Sequence, residues 1–228
     1  MLNYSNQSAA KKPHFNVVIT TPGNYMCAEY LKSLLLTIQV LQENNISWFY
    51  QNEYASLITN AREATITGNR SLEVFNPYPG KGEYTYDKIF CIDSDIVWDY
   101  EQFMELYFSD KDVISGVYYE AKGGSAMILS RRQDHALMQR DEVNDMQEKL
   151  TSVRGVGLGF LCLKSGVFES VKRPWFDLGK VKQEVDGIDY YVPLGEDLNF
   201  CEKILESGYE IYVDPTIVVG HVKSNIVI

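Results

Sequence analysis

The stretch Tyr86-Asp87-Lys88-Ile89-Phe90-Cys91-Ile92-Asp93-Ser94-Asp95-Ile96-Val97-Trp98 decides how the chain is read. Four apolar residues in succession, Ile89 to Ile92, describe a short strand buried on both faces, as in a parallel sheet. The strand runs straight into Asp93-Ser94-Asp95, so both acids arrive at the carboxyl end of a sheet. That is where open α/β sheets bind ligands. Two like charges this close repel and cost stability unless something neutralises them. A divalent cation is the usual solution, because hard cations take carboxylate oxygens, and a cation held there can in turn hold phosphates. The plain alternative is a surface turn after a strand, where Asp and Ser are common.

Upstream of this stretch the pattern is that of a βαβ unit, so the sheet is expected to start parallel. Phe15 to Thr20 is a strand that runs into the turn Thr20-Thr21-Pro22-Gly23-Asn24. A helix is predicted from about Cys27 to Glu43, with Leu31, Leu34, Leu35, Ile38 and Leu41 at helical spacing, and a strand over Ile46 to Tyr50. Arg62 stands in a short helix, roughly Ser56 to Thr67, where a solvated face is the plain reading. The stretch 67–87 is long and aromatic, its tyrosines either surface decoration or part of an acceptor site.

Downstream, Asp99 and Gln102 form a capping box for a helix from about Tyr100 to Phe108, and Val113 to Tyr118 is a strand. Residues 121–132 carry Lys122, Arg131 and Arg132 beside adjacent glycines and read as a mobile loop over a site. A polar helix is predicted over Gln133 to Leu150. Gly155, Gly157 and Gly159 precede an apolar strand. Their spacing does not fit a dinucleotide fingerprint, and they are expected to let backbone approach a ligand. Ser165 to Val171 is a short helix closed by Pro174-Trp175-Phe176. Residues 184–189 read as an acidic loop. Gly195-Glu196-Asp197 opens a helix ended by Gly208. Strands over Tyr209–Val213 and Ile217–Val219 deliver His221.

The 228 residues suffice for one α/β domain or two small ones, with a full core. A net charge of −10 argues against broad nucleic-acid binding and against an anionic membrane surface. The four cysteines, at 27, 91, 162 and 201, form no CxxC pair and read as small core residues of a reducing, cytoplasmic compartment. Residues 1–13 read as a disordered tail without a signal-peptide core, and no run reaches the length of a transmembrane helix. The apolar end, Asn225 to Ile228, is expected to lead into a further domain or to meet a partner.

The order of these segments resembles the glycosyltransferases of the GT-A fold, particularly compact ones similar to family 2, over about residues 15–223. The resemblance rests on Thr20-Thr21-Pro22, Arg62, Asp93-Ser94-Asp95, Gly157-Leu158-Gly159-Phe160, Pro174-Trp175-Phe176, Gly195-Glu196-Asp197 and Gly220-His221. It implies a single Rossmann-like α/β domain over 14–228, with a mostly parallel sheet flanked by helices. It further implies transfer of a sugar from a nucleoside-diphosphate sugar to a hydroxyl acceptor, with inversion and with Mn²⁺ or Mg²⁺ as cofactor. Asp95 and His221 would hold the metal, and Asp93 would touch the metal's surroundings or the ribose. Thr20, Thr21, Pro22, Ser94 and Arg62 would hold the nucleotide, and Lys223 would reach the diphosphate. Asp197 would be the general base and Glu196 would bind sugar hydroxyls. Trp175, Gly157 and Gly159 would line the acceptor, a glycan or other alcohol.

Two other readings stand beside this one. The strand with Asp93-x-Asp95 also fits a haloacid-dehalogenase-like phosphatase, with Asp93 as nucleophile and Asp95 as acid. That family usually starts near this motif, whereas here a whole βαβ unit precedes it. The other is a non-catalytic module that binds a sugar nucleotide without turnover.

Overall fold

The computed structural model describes residues 11–68, 78–120, 124–131, 136–146, 150–185 and 187–223. The chain opens as expected with β1 (His14–Pro22), α1 (Ala28–Glu43) and β2 (Trp48–Glu53), the two strands parallel. After α2 (Ile58–Thr67) come β3 (Thr85–Ile92), β4 (Ile96–Val97), α3 (Tyr100–Phe108) and β5 (Val113–Val117). The capping box of α3 is present: Gln102 N–H donates to Asp99 Oδ1 at 2.8 Å and Asp99 N–H to Gln102 Oε1 at 3.1 Å.

The second half follows its predicted pattern less closely. The expected mobile loop over 121–132 contains a strand, β6 (Ser125–Leu129), whose Ala126, Ile128 and Leu129 are buried. Lys122 and Arg132 lie outside the described residues. Within the predicted helix over 133–150, β7 (Leu137–Gln139) pairs with β6, and among the described residues of that range only α4 (Arg140–Asn144) is helical. Next come β8 (Thr151–Val153), β9 (Gly155–Val156), β10 (Phe160–Lys164) and α5 (Val167–Ser170). The acidic segment 184–189 is not a loop but the turn end of a hairpin of β11 (Gly179–Val185) and β12 (Ile188–Leu194). The order closes with α6 (Glu196–Glu206), β13 (Ile211–Val218) and β14 (Gly220–His221).

The central sheet has seven strands in the order β2-β1-β3-β10-β5-β13-β8. β10 is antiparallel to both its neighbours and β8 to β13, while the other five strands run one way. The architecture is thus mixed α/β with a mostly parallel sheet between helices. β3 is buried on both faces, as its apolar run requires. Phe90 and Ile92 join α1 and α3 through Tyr30, Leu34, Phe103 and Leu106. Ile89 and Cys91 face the opposite core, which holds Phe168 of α5 and Phe200, Cys201 and Ile204 of α6. Period-two alternation along one strand therefore feeds two separate cores. Among the described residues, no helix is long and apolar enough to cross a membrane.

Tyr84 and Tyr86, from the aromatic stretch 67–87, belong neither to the surface nor to an acceptor site. Both are core residues, with the Tyr86 hydroxyl donating to Glu169 Oε1 at 2.9 Å. Tyr78 of the same stretch is exposed. Residues 69–77 lie outside the described set.

Candidate active site

β3 ends at Ile92, and the turn that follows is fastened through its backbone on every side. Asp93 N–H donates to Gly159 O at 3.1 Å, and Cys27 N–H donates to Ser94 O at 3.1 Å. Ile96 N–H returns to Asp93 O at 3.1 Å, and Val222 N–H donates to Asp95 O at 2.8 Å. Three other chain segments, at Cys27, Gly159 and Val222, thus hold the Asp93-Ser94-Asp95 turn at the carboxyl edge of the sheet. Beside it opens a cleft of about 730 Å³, lined among others by Pro22, Gly23, Arg62, Asp93, Ser94, Asp95, Asp197, His221 and Lys223. Most of the site residues expected from sequence meet here, although they come from both ends of the chain.

Arg62 is not on a solvated face. It is 7% exposed and its guanidinium joins both acid pairs. Nη1 lies 2.9 Å from Asp93 Oδ1 and Nη2 3.2 Å from Asp93 Oδ2, while Nε reaches Glu196 Oε1 at 3.2 Å. Burial lowers the Arg62 pKa, but Asp93 and Glu196 outweigh it and the net shift is upward. Asp93 accepts from Arg62 at Oδ2, while its Oδ1, 2.9 Å from Nη1, makes no hydrogen bond of good geometry. One expectation is corrected. Glu196 holds Arg62 and does not line the cleft.

Asp95 is engaged differently. His221 Nε2 lies 3.3 Å and Lys223 Nζ 2.7 Å from the same atom, Asp95 Oδ2. Burial raises the Asp95 pKa, but hydrogen bonds from His221 and Lys223 outweigh this and bring it down to about 2. His221 is raised, first by its hydrogen bond to Asp95. Its Nδ1 is 2.9 Å from Tyr119 O, and a carbonyl only accepts, so Nδ1 carries a proton and Nε2 is the atom turned to the acid. That arrangement orients an imidazole for a cation. The 3.3 Å between Asp95 Oδ2 and His221 Nε2 is close to the roughly 3 Å spanned by neighbouring ligands of an octahedral ion with bonds of about 2.1 Å. Among the described residues no third His, Cys, Asp or Glu joins them. Asp95 and His221 are thus the two side chains here whose chemistry suits a divalent cation, with Lys223 on the same carboxylate oxygen.

Asp197 opens α6 and faces the cleft. A helix start alone predicts an easily ionised carboxyl. Instead burial raises the Asp197 pKa, opposed by the Leu198 N–H that donates to Oδ1 at 2.7 Å, while the neighbouring Glu196 adds to the rise. Desolvation wins over the dipole.

The remaining expected residues serve the frame. Thr20 Oγ1 donates to Phe90 O at 2.8 Å, and the Thr21 hydroxyl pairs with that of Tyr30, so both side chains turn inward and only Pro22 and Gly23 of this loop reach the cleft. Trp175 is 0% exposed and belongs to the core, its Nε1–H donating to Phe168 O at 3.0 Å, so it is no acceptor platform. Glu63, the neighbour of Arg62, holds that corner through Arg173 at 3.1 Å and through the N–H groups of Trp175 and Phe176. Gly157 and Gly159 do not make room for a ligand. A Cβ at either would strike the Tyr118 ring, 2.0 Å from its Oη at Gly157 and 2.7 Å from its Cζ at Gly159.

Tyr118 is the functional candidate that the sequence reading passed over. It is buried, lines the cleft, accepts from Gly159 N–H at 3.0 Å, and meets the His221 ring edge-on at 5.3 Å. Burial, then Asp93, pushes its phenol well above the usual range. The signal was present: the predicted strand ends on Tyr118 at the same sheet edge as Asp93. Glu120, Met127 and Ile58 also line the cleft.

No family model matches the chain, and no curated relative is found. Among solved structures it is similar to A197 from STIV, with a TM-score of 0.50 and 16% identity, covering 93% of this chain and 96% of that one. At this identity the likeness concerns the fold alone.

Proposed function

We propose that the protein is a metal-dependent glycosyltransferase of the GT-A type, moving a sugar from a nucleoside-diphosphate sugar to a hydroxyl acceptor with inversion. One observation carries this reading: Asp95, His221, Lys223 and Asp197 meet at one cleft on the carboxyl edge of the sheet. A Mn²⁺ or Mg²⁺ ion held by Asp95 and His221 supplies the charge that a departing diphosphate requires. Pro22, Gly23 and Ser94 form the wall against which the nucleotide lies. Asp197, raised by burial, takes the proton of the incoming hydroxyl, and a base with a raised pKa is better matched to that task. Arg62 does not have to bind the donor for this. It holds Asp93 and Glu196 still, so that Asp95 and Asp197 remain the working acids.

The phosphatase alternative needs Asp93 as a free nucleophile, and both its oxygens face Arg62. A non-catalytic module would bind nucleotide and do nothing further. The test is a panel of nucleotide sugars offered with Mn²⁺ and without acceptor. Slow hydrolysis of one donor is expected, together with loss of Mn²⁺-dependent nucleoside diphosphate binding in Asp95→Ala, measured by calorimetry. Unchanged affinity in that variant overturns the metal assignment. Tight binding of a donor that is never turned over, with any acceptor, overturns the enzyme.

A further inference from the structure

The segment that carries His221 is sewn to the acid turn along its backbone. β14 pairs antiparallel with β4, Gly220 opposite Val97 and His221 opposite Ile96, and Val222 N–H donates to Asp95 O at 2.8 Å. In extended backbone, residues two apart share a face. His221 and Lys223 accordingly end on one atom, Asp95 Oδ2, at 3.3 and 2.7 Å. The oxygen best placed for a divalent cation is therefore already paired with an ammonium. A metal on that oxygen and an ammonium in contact with it repel each other, so both cannot stay. Lys223 is 39% exposed at its side chain, on a four-carbon stem, and lines the same cleft, so it has somewhere to go.

Resting on the function proposed above, we infer that Lys223 is an exchangeable internal cation. It neutralises Asp95 when no divalent cation is bound, and it moves onto the phosphates when metal and diphosphate enter together. Metal alone must expel the ammonium from the carboxylate it pairs with and gives it nothing in return. With a diphosphate in the cleft, the displaced ammonium gains a new partner. The two ligands then bind cooperatively, and linkage makes the coupling the same in either order. Lys223 thereby disfavours a metal-loaded site without nucleotide.

The test uses the full chain and its Lys223→Met variant, which keeps the apolar stem and removes the charge. Mn²⁺ binding is followed by the electron paramagnetic resonance signal of the free ion, with and without saturating UDP or GDP. In the wild type, the nucleotide is expected to tighten Mn²⁺ binding by roughly tenfold, inside the usual range of coupling factors. In Lys223→Met, Mn²⁺ alone binds more tightly than in the wild type, and the coupling factor falls toward one. Lys223→Arg, which keeps the charge, retains most of the coupling. If Lys223→Met binds Mn²⁺ no more tightly and keeps the full coupling, the exchange is wrong while the glycosyltransferase reading stands. If the wild type binds nucleotide equally well without any metal, Lys223 is a permanent substitute for the ion and the exchange is again overturned. If it binds neither Mn²⁺ nor either nucleotide, the functional reading fails and the inference falls with it.

Discussion

Two pairs of acids meet around Arg62 beside the cleft, Asp93 with Asp95 and Glu196 with Asp197, and they are treated alike in one respect and oppositely in another. In each pair one member is surrendered to Arg62, which draws Asp93 and Glu196 onto a single guanidinium. The partner left facing the cleft differs. Asp95 has an imidazole and an ammonium on one oxygen and sits at about 2. Asp197 is half-buried and in no ion pair among the described residues, and its pKa is raised. The same functional group is held ionised in one place and pushed toward protonation in the other, through neighbours alone. On the function proposed above, that separation would let one small cleft hold both a cation site and a base.

The sharpest way to break the comparison is to neutralise each acid of the second pair in turn. Asp197→Asn is expected to lose roughly 10²–10⁴ in turnover, the usual value of general-base help, with donor affinity nearly unchanged. Glu196→Gln should lose less, because its role passes through Arg62. A Glu196→Gln loss as large as that of Asp197→Asn would reverse the roles. The stability effect has the opposite sign. A carboxyl whose folded pKa is raised favours folding below its ordinary value of 3.8, and loses that contribution as pH rises through the folded pKa. At neutral pH the buried charge is a cost, so the thermal midpoint of Asp197→Asn should equal or exceed that of the wild type.

Removing the cation shared by the two pairs comes next. Arg62→Met leaves Asp93 and Glu196, both half-buried, without their shared counter-charge, and should cost about 1–3 kcal/mol in denaturant unfolding. Arg62→Lys should not recover it, since an ammonium cannot fork onto Asp93 and also reach Glu196. Arg62 also holds the Asp197 pKa down against burial. In whatever fraction of Arg62→Met folds, the acid limb of kcat/KM therefore moves to higher pH than in the wild type. An acid limb that does not move would mean that Asp197 is not the group being titrated.

The smallest expected effect sharpens the contrast instead of breaking it. Tyr118→Phe leaves the Gly159 N–H without its acceptor, at a cost of about 1–3 kcal/mol in stability. Turnover should stay within about tenfold of wild type, well short of the loss in Asp197→Asn. A Tyr118→Phe loss as large as that of Asp197→Asn would make the phenol, and not the acid, the proton acceptor.

Much of this frame was readable in the chain. Ile89 to Ile92 announced a strand buried on both faces, Asp99 and Gln102 announced a helix start, and the two acids that follow β3 could only emerge at a ligand-binding edge. What a linear pattern does not carry is the direction of a side chain once the strand has been placed. Thr20 and Thr21 lie in the expected loop, yet their hydroxyls bond Phe90 O and the Tyr30 hydroxyl inside the molecule. Trp175 marks the expected corner, but Glu63, on a helix far away in sequence, ties that corner inward through Arg173 and the Trp175 N–H. The glycines at 157 and 159 were recognised as places of close approach, and what approaches is Tyr118. The predicted helix over 133–150 failed because pairing with β6 overrode its local preference. The hairpin of β11 and β12 was announced by Asp186-Gly187 between Val185 and Ile188, a turn pair that reads as a hairpin when taken at face value.

The pairing of β14 with β4 has a consequence for the life of the chain as it is made. Asp95 and Lys223 are separated by 128 positions, and the ribosome delivers them in that order. Until the later segment has emerged and zipped onto Ile96 and Val97, the acid turn lacks both the imidazole and the ammonium that settle its charge. A half-made chain therefore lacks the arrangement that the proposed cation site requires, however complete its first βαβ unit is. On the function proposed above, that site would come together late and all at once, as a property of the assembled sheet.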